Sequence, residues 1–285
     1  VFNIQQGAKA SWDRVLGLMN NESQASFNKV DSLKPKEISV ENLSFKYPTS
    51  DEYAIKDISF DISSGKMVGI TGSVGSGKSA LALALTGLYD YEGKILLDNV
   101  DLNDMKYEQK IAAITYMGHD SFLFSNSLKN NITWKDDNAE RLDKVLDIAS
   151  LKKDIKSFEK GIDTEVGEKG TKVSGGQKQR IALGRALYKD ANIVILDDPF
   201  SAVDINTEAK IIENLRENVG NRTIFIFSHR LDAFKYMDMI LVLDKGKIVE
   251  RGTHDELISK EGIYSKIIDS QQFLGDGSIE KQNSI

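Results

Sequence analysis

MVGITGSVGSGKSALALALTGL, Met67 to Leu88, carries three signals in 22 residues. Met67–Ile70 is a continuous apolar run, as expected of a strand covered on both faces. Ala80–Leu88 is rich in alanine and leucine and reads as a helix. Between them, Gly72–Ser79 (GSVGSGKS) fits the pattern G-x-x-x-x-G-K-[ST]. A strand, a glycine-rich turn and a helix in that order make a phosphate cradle. The glycines let the backbone wrap around phosphate oxygens. The helix start turns its unpaired N–H groups and the positive end of its dipole toward them. The cradle therefore comprises Gly72, Ser73, Val74, Gly75, Ser76, Gly77, Lys78, Ser79 and Ala80. Lys78 is placed to reach the β- and γ-phosphates, and Ser79 to offer its hydroxyl to Mg²⁺.

Further apolar runs surround this unit. Ile193–Leu196, Thr223–Phe227 and Met239–Leu243 have the composition of parallel strands. Earlier segments alternate largely with period two instead. Ile38, Val40, Leu43, Phe45 and Tyr47 form one such set, and Ile55, Ile58, Phe60 and Ile62 another. That pattern predicts an antiparallel sheet with one wet face. Gly176–Tyr188 is helical in pattern, and Lys245-Gly246 marks a hairpin. Residues 119–170 are polar, rich in helix signals and poor in strands, so they read as a helical insertion. In NIVILDDPFSAVD, Asn192 to Asp204, a buried strand ends in two neighbouring acids. Strand ends in a parallel sheet face the ligand crevice, so Asp197 is placed to hold Mg²⁺, usually through water.

At the N-terminus, Ile4, Ala8, Trp12, Val15, Leu16 and Met19 recur at helical spacing, and residues 20–36 are polar and linker-like. Beyond Asp269 the sequence loses periodicity and reads as a flexible tail. The chain begins at Val1 without a Met, and reads as a piece of something longer. A net charge of -6 offers no general attraction to nucleic acid. The absence of cysteine excludes a disulfide framework and Cys-based metal sites.

The order phosphate cradle, VSGGQ (Val173–Gln177), ILDDP, SAVD, SHR resembles the ATP-binding cassette (ABC) ATPases, specifically the nucleotide-binding domain of exporters. The resemblance covers about residues 35–270. It implies an α/β, P-loop NTPase fold of ABC type, with a mixed core sheet, an antiparallel β subdomain and a helical subdomain at about 119–190. It further implies that Tyr47 stacks on adenine. Ser174, Gly175, Gly176 and Gln177 would bind the γ-phosphate of an ATP held by a partner domain, in a head-to-tail dimer. Ser201–Asp204 would link the two sites, and His229 would contact the γ-phosphate and the attacking water. Thr164–Gly170 (TEVGEKG) resembles the exporter segment near the membrane domains' intracellular loops. Residues 1–34 resemble the cytoplasmic end of a last membrane helix plus linker, with residues 271–285 a flexible tail. The implied cofactors are ATP and Mg²⁺, and the implied place is the cytoplasmic face of the cell membrane.

Two positions depart from the family's pattern. The family has Glu where this chain has Asp198, the group that polarises the attacking water. The shorter side chain sets its carboxylate back by roughly 1 Å, which can cost on the order of 100-fold in rate. The family has Gln where this chain has His119, at a position that meets Mg²⁺ and water. A neutral imidazole accepts through one nitrogen only, and a protonated one repels the metal. Both departures weaken one composite site, whereas SGGQ, which serves the other, is intact. That asymmetry resembles the degenerate half of a heterodimeric bacterial multidrug exporter. The partners then implied are a transmembrane domain of the same polypeptide and a second half-transporter, hetero- rather than homodimeric, with no nucleic acid. The alternatives are a non-hydrolysing regulatory ATP-binding module and a soluble ABC ATPase unrelated to transport. Ser79 and Ser174 are only 95 positions apart. That spacing leaves no room for the coiled-coil insertion of the DNA-repair and chromosome-maintenance relatives.

Overall fold

Period-two alternation along the first strands places one face of each against a core. In a computed structural model that describes residues 34–271, apart from 137, 168, 169, 171 and 219, strands β1 (Glu37–Phe45), β2 (Ile55–Ser63), β4 (Glu92–Leu97) and β5 (Val100–Asp101) form an antiparallel sheet in the order β2-β1-β4-β5. Its buried face carries Ile38, Val40, Phe45, Ile58, Phe60, Ile95 and Leu97. The second sheet has the order β10-β9-β3-β8-β7-β6. Its strands are β3 (Met67–Gly72), β6 (Ile114–Met117), β7 (Ile193–Asp197), β8 (Thr223–Phe227), β9 (Met239–Asp244) and β10 (Lys247–Gly252). All pairs are parallel except β9–β10. The fold is α/β with one mixed and one antiparallel sheet, as the sequence leads one to expect.

The apolar runs are continuous because both faces of the mixed sheet are covered. Ile193, Ile195, Phe225, Phe227, Leu241 and Leu243 face the antiparallel sheet and helix α1 (Lys78–Leu85). Val194, Leu196, Ile224, Ile226, Ile240 and Val242 face the opposite core. Helix α1 is clamped between the two sheets and buries Ala80, Leu81, Ala82, Ala84 and Leu85. Its alanines suit that close approach. The helix begins two residues before the expected Ala80 and stops at Leu85, short of Leu88. Thr86 ends it: its hydroxyl donates to Leu83 O at 2.6 Å, and Gly87 turns left-handed with φ 64°.

Helix α2 (Tyr107–Ala113) runs straight into β6, and α3 (Leu128–Thr133), α4 (Ala139–Ile148) and α5 (Lys152–Ser157) follow before α6 (Gly175–Tyr188). Of these, α3, α4 and α5 lie within residues 119–170, the stretch read as a helical insertion. Helix α7 (Ile205–Asn218) starts where Asp204 accepts a hydrogen bond from Thr207 N at 3.0 Å. The Lys245-Gly246 hairpin is present, with φ of 45° and 76° at its two central residues, as a two-residue turn of this hand requires. After α8 (His254–Ser259), residues 263–271 form a last helix. It continues two residues past Asp269, because Gln271 is tied down: it donates to His229 O and accepts from Leu231 N. The expected amphipathic helix, the linker that follows it up to residue 33, and the tail beyond 271 lie outside the described residues. No described helix is long and apolar enough to cross a membrane.

Candidate nucleotide-binding site

The parallel strands β3, β6, β7 and β8 end together, and their C-terminal loops build one cleft of about 490 Å³. It is lined by Tyr47, Ala54, Val74, Gly75, Gly77–Ala80, His119, Asp197, Asp198 and Phe227–His229. Most of the cradle, both acids and both predicted histidines therefore meet in one place.

The cradle's glycines are required individually. Gly72 has φ 148°, and a Cβ there would stand 2.1 Å from Leu243 O. Gly77 caps α1 with φ 102°, and a Cβ would meet Ile55 Cγ2 at 2.6 Å and Ala54 O at 2.8 Å. Ser76 O accepts from Gly246 N at 3.0 Å, so the β9–β10 hairpin braces the loop from behind. The Lys78 ammonium donates to Gly72 O and Ser73 O, each at 2.9 Å, and so lies within its own loop. Burial holds its pKa below the ordinary lysine value, against the pull of Asp197 and Asp198.

Asp197 ends β7 and is 5% exposed. Ser79 hydrogen-bonds to its carboxylate, and Tyr116 O–H donates to Oδ2 at 3.3 Å. Burial raises its pKa above the usual carboxylate range, although those two hydrogen bonds oppose the shift. A buried carboxylate held against a hydroxyl, in a proton-retaining setting, suits a cation. Ser79 and Asp197 thus fit Mg²⁺, which takes few protein ligands and completes its shell with water and phosphate. The open space around Gly75, where a Cβ would meet nothing within 4 Å, suits the phosphates themselves.

Asp198 sits in the left-handed region with φ 52°, its N–H bonded to Phe227 O at 2.8 Å. Its carboxylate stands between two imidazoles. His119 Nδ1 is 3.4 Å from Oδ2, and His229 Nδ1 is 3.7 Å from Oδ1. Oδ1 is buried without a hydrogen-bond partner, as is Ser76 Oγ in the cradle. Tyr47 stands at the mouth of the cleft, 37% exposed, its ring edge-on to Phe45 at 5.4 Å. Burial and the nearby Asp197 raise its pKa.

Ser174–Gln177 do not line this cleft. They open α6, with Ser174 and Gly175 exposed. Gln177 N donates to Ser174 Oγ at 3.2 Å and Ser174 N to Gln177 Oε1 at 2.9 Å, which is the capping box that S-x-x-Q predicts. Asp154 backs this turn. It accepts from Gln177 at 2.9 Å and is paired with Arg180 at 2.6 Å. Burial alone would raise the Asp154 pKa, but the bonds from Arg180 and Gln177 outweigh it and the net shift is downward.

Sequence reasoning assigned no role to Tyr116, Gln179, Arg230 or Gln271. Tyr116 lies three residues before His119, but its reach to Asp197 depends on β6 lying beside β7. The other three act on backbone atoms far away in sequence, and no local pattern signals that.

The ABC transporter family model matches residues 55–201. The chain is 40% identical over 279 residues to a probable multidrug resistance ABC transporter ATP-binding/permease protein, YheI, of Bacillus subtilis (strain 168). The match covers 96% of this chain and 48% of that protein. It is 41% identical over 234 residues to an ATP-dependent lipid A-core flippase of Pseudomonas aeruginosa, covering 81% of this chain and 39% of the flippase. Among solved structures, a bacterial Atm1-family ABC exporter with ATP bound superposes with a TM-score of 0.83 at 33% identity, over 94% of this chain and 48% of the exporter. The chain thus spans about half the length, or less, of the relatives it matches.

Proposed function

The chain belongs to the ABC transporter family, as an ATP-binding domain of the exporter type, and from that premise we propose that it is the ATPase half of a half-transporter, at residues 35–270. It pairs head-to-tail with a second such domain, and the two close around ATP at the cytoplasmic face of the membrane. The observation that carries this reading is the separation of two half-sites. The phosphate cradle and the acids share one cleft, while the exposed, glycine-bearing start of α6 points at nothing in its own chain's cleft. A helix start of that kind is an anion site waiting for another molecule's phosphate.

Within its own cleft, Lys78 leaves the loop carbonyls to meet the β- and γ-phosphates, and the loop N–H groups hold the phosphate oxygens. Ser79 and Asp197 would hold Mg²⁺, with His119 beside them. Bound Mg²⁺ supplies charge neutralisation on the phosphates during transfer. Tyr47 offers its ring to the base. Asp198 orients water poorly because its carboxylate is short, while His229 faces the same space. This chain's own site is therefore weakly hydrolytic, and the partner is a different subunit with a longer acid. Closure is a population shift: ATP favours the closed pair because only there does it gain contacts from both chains.

A second cleft, of about 510 Å³, supports attachment to a membrane domain of the same polypeptide. It is rimmed by Phe122 and Trp134, which meet exposed Phe124 edge-on with ring centroids 5.1 and 5.0 Å apart. Exposed aromatics in a groove mark a docking surface. Val166, within the segment expected near intracellular loops, is buried, and its N–H donates at 3.1 Å to the carbonyl of Asn126, two residues after Phe124. Glu168 and Lys169 of that segment lie outside the described residues. The alternative of a soluble ABC ATPase leaves this groove without a purpose.

The second reading, a non-hydrolysing regulatory module, is favoured by the Asp198–His119 contact of 3.4 Å. Single-turnover hydrolysis measured beside nucleotide affinity separates the two. In the assembled pair, Asp198→Asn is expected to spare most of the turnover, and removal of the partner's acid to leave only the slow hydrolysis of this chain's own site. Equal losses from the two substitutions overturn the assignment of a weak site here.

A further inference from the structure

The turn Ser201–Asp204 is gripped from two sides. From α6, the buried Gln179 accepts from Ala202 N at 2.7 Å and donates to Ser201 Oγ at 2.5 Å and to Asp198 O at 3.4 Å. One turn earlier on the same helix, Gly176 lies so close that a Cβ would stand 2.7 Å from Ala202 O. From the loop after β8, Arg230 Nη1 donates to Phe200 O at 2.7 Å and Val203 O at 2.9 Å. Its Nη2 is 2.9 Å from Glu208 Oε2, on α7. Arg230 is the residue next to His229, and its own N–H bonds to Ser228 Oγ at 3.0 Å.

These contacts make an unbroken path through one chain. It starts at the Ser174–Gln177 helix start, passes Gln179 to the carbonyl of Asp198 and the amide of Ala202, and leaves through Arg230 to the His229 loop. Most links are hydrogen bonds to backbone or a packed backbone contact, and Ser201 Oγ, Ser228 Oγ and Glu208 add side-chain ties. The ends of the path are the two half-sites.

We infer that Gln179 and Arg230 are positioning residues that lock the Ser201–Asp204 turn between the start of α6 and the Asp198–His229 pair, so that a phosphate seated on the first adjusts the second. The inference rests on the reading that the start of α6 serves an ATP held by a partner. The family resemblance assigns the turn to communication between sites, whereas these two side chains are what would make it stiff. An anion at the helix start draws on α6 as a rigid body. Gln179, on the same helix, then shifts the carbonyl of Asp198, whose carboxylate is sensitive to displacements of about 1 Å. Coupling of this kind requires an element that both sites bias, and the gripped turn is that element.

The test uses the full-length transporter assembled with a partner whose own acid has been removed, so that the slow remaining ATP hydrolysis is that of this chain's site, and reads that hydrolysis against ATP concentration. Gln179→Ala and Arg230→Met are expected to lower kcat by about tenfold or more while KM moves by less than about twofold. Both are expected to bring the Hill coefficient down toward unity. Ser201→Ala deletes only the outer bond of the grip from an exposed side chain. It should move kcat and the Hill coefficient in the same direction by a smaller factor, and it decides the matter if Gln179→Ala fails to fold. A merely structural role would lower the melting temperature and the yield of active protein but leave the Hill coefficient of the folded fraction unchanged. Wild-type kcat and Hill coefficient in folded Arg230→Met and Ser201→Ala overturn the inference alone. A Hill coefficient of unity in the wild type overturns the inference together with the paired-site reading beneath it.

Discussion

His119 Nδ1 lies 3.4 Å from Asp198 Oδ2. The two positions that the sequence reading marks as departures from the family's pattern, 79 residues apart, are therefore one contact. Strand β6 carries His119 to the same edge at which β7 carries Asp198. An imidazole takes up space that a longer acid would need, and the shorter acid leaves room for the imidazole.

Lengthening that acid tests whether reach is what limits the site. Asp198→Glu, in the assembled transporter, is expected to raise steady-state ATP hydrolysis by roughly tenfold to 100-fold at this chain's site. The gain should be larger when His119→Gln is made with it, because the two side chains touch. An unchanged rate in the double variant shows that hydrolysis is limited elsewhere.

Lys78→Ala removes the only ammonium that lines the cleft among the described residues. Charge-assisted hydrogen bonds contribute about 1.5–3 kcal/mol each, so MgATP affinity should fall by roughly 10- to 100-fold or more. Stability without nucleotide should change little, since the lysine's burial already opposes its charge. Isothermal titration and a melting curve on the same preparation check both halves.

Gly77→Ala should damage the fold and the cradle together. The residue holds φ 102°, and the new methyl would meet Ile55 and Ala54 O at under 3 Å. Left-handed strain and overpacking each cost about 1–3 kcal/mol, so a loss of roughly 2–5 kcal/mol is expected. Gly75→Ala, with φ 80° but open space around it, should cost only the strain, about 1–2 kcal/mol. Denaturant unfolding of the two variants side by side measures the difference.

Glu208 gives a pH signature. It is 1% exposed, and burial pushes its pKa up to about 7 although Arg230 lies 2.9 Å away; Asp232 and Asp198 reinforce the rise. A folded pKa above the unfolded value means the fold favours the protonated form. That contribution is whole below the unfolded value, near 4.5, and is lost as pH rises through about 7. The wild type should lose up to about 3 kcal/mol of stability across that window. Glu208→Gln should remove this part of the slope. Melting curves from pH 4.5 to 8 on both proteins test it, and parallel pH profiles refute it.

Much of this protein is legible along the chain because the controlling interactions are local. A cradle for phosphate needs glycines at set intervals between a strand and a helix start, so GSVGSGKS is recognisable before any folding is considered. The same holds for the box formed by Ser174 and Gln177 and for the hairpin at Lys245-Gly246. Strands β3, β7, β8 and β9 announce themselves because a sheet covered on both faces leaves no polar alternation. Strands β4 and β6 do not. Helix α2 passes into β6 at Ala113-Ile114 without a turn residue, and β4 buries only Ile95 and Leu97 fully.

What sequence alone determined was the chemistry on offer: a cradle, a metal-suited acid, a short second acid, a histidine on each side of it and a separate anion-ready helix start. Tertiary structure decided which of these share a space. It placed Asp198 between His119 and His229, laid Tyr116 against Asp197, and closed Gln179 and Arg230 on either side of Ser201–Asp204. The reason is that a side chain's identity fixes what bonds it can make, whereas its partner is fixed by the order in which strands pair. The order β3-β8-β7-β6 is not chain order, so contacts across it leave no periodic trace in the sequence.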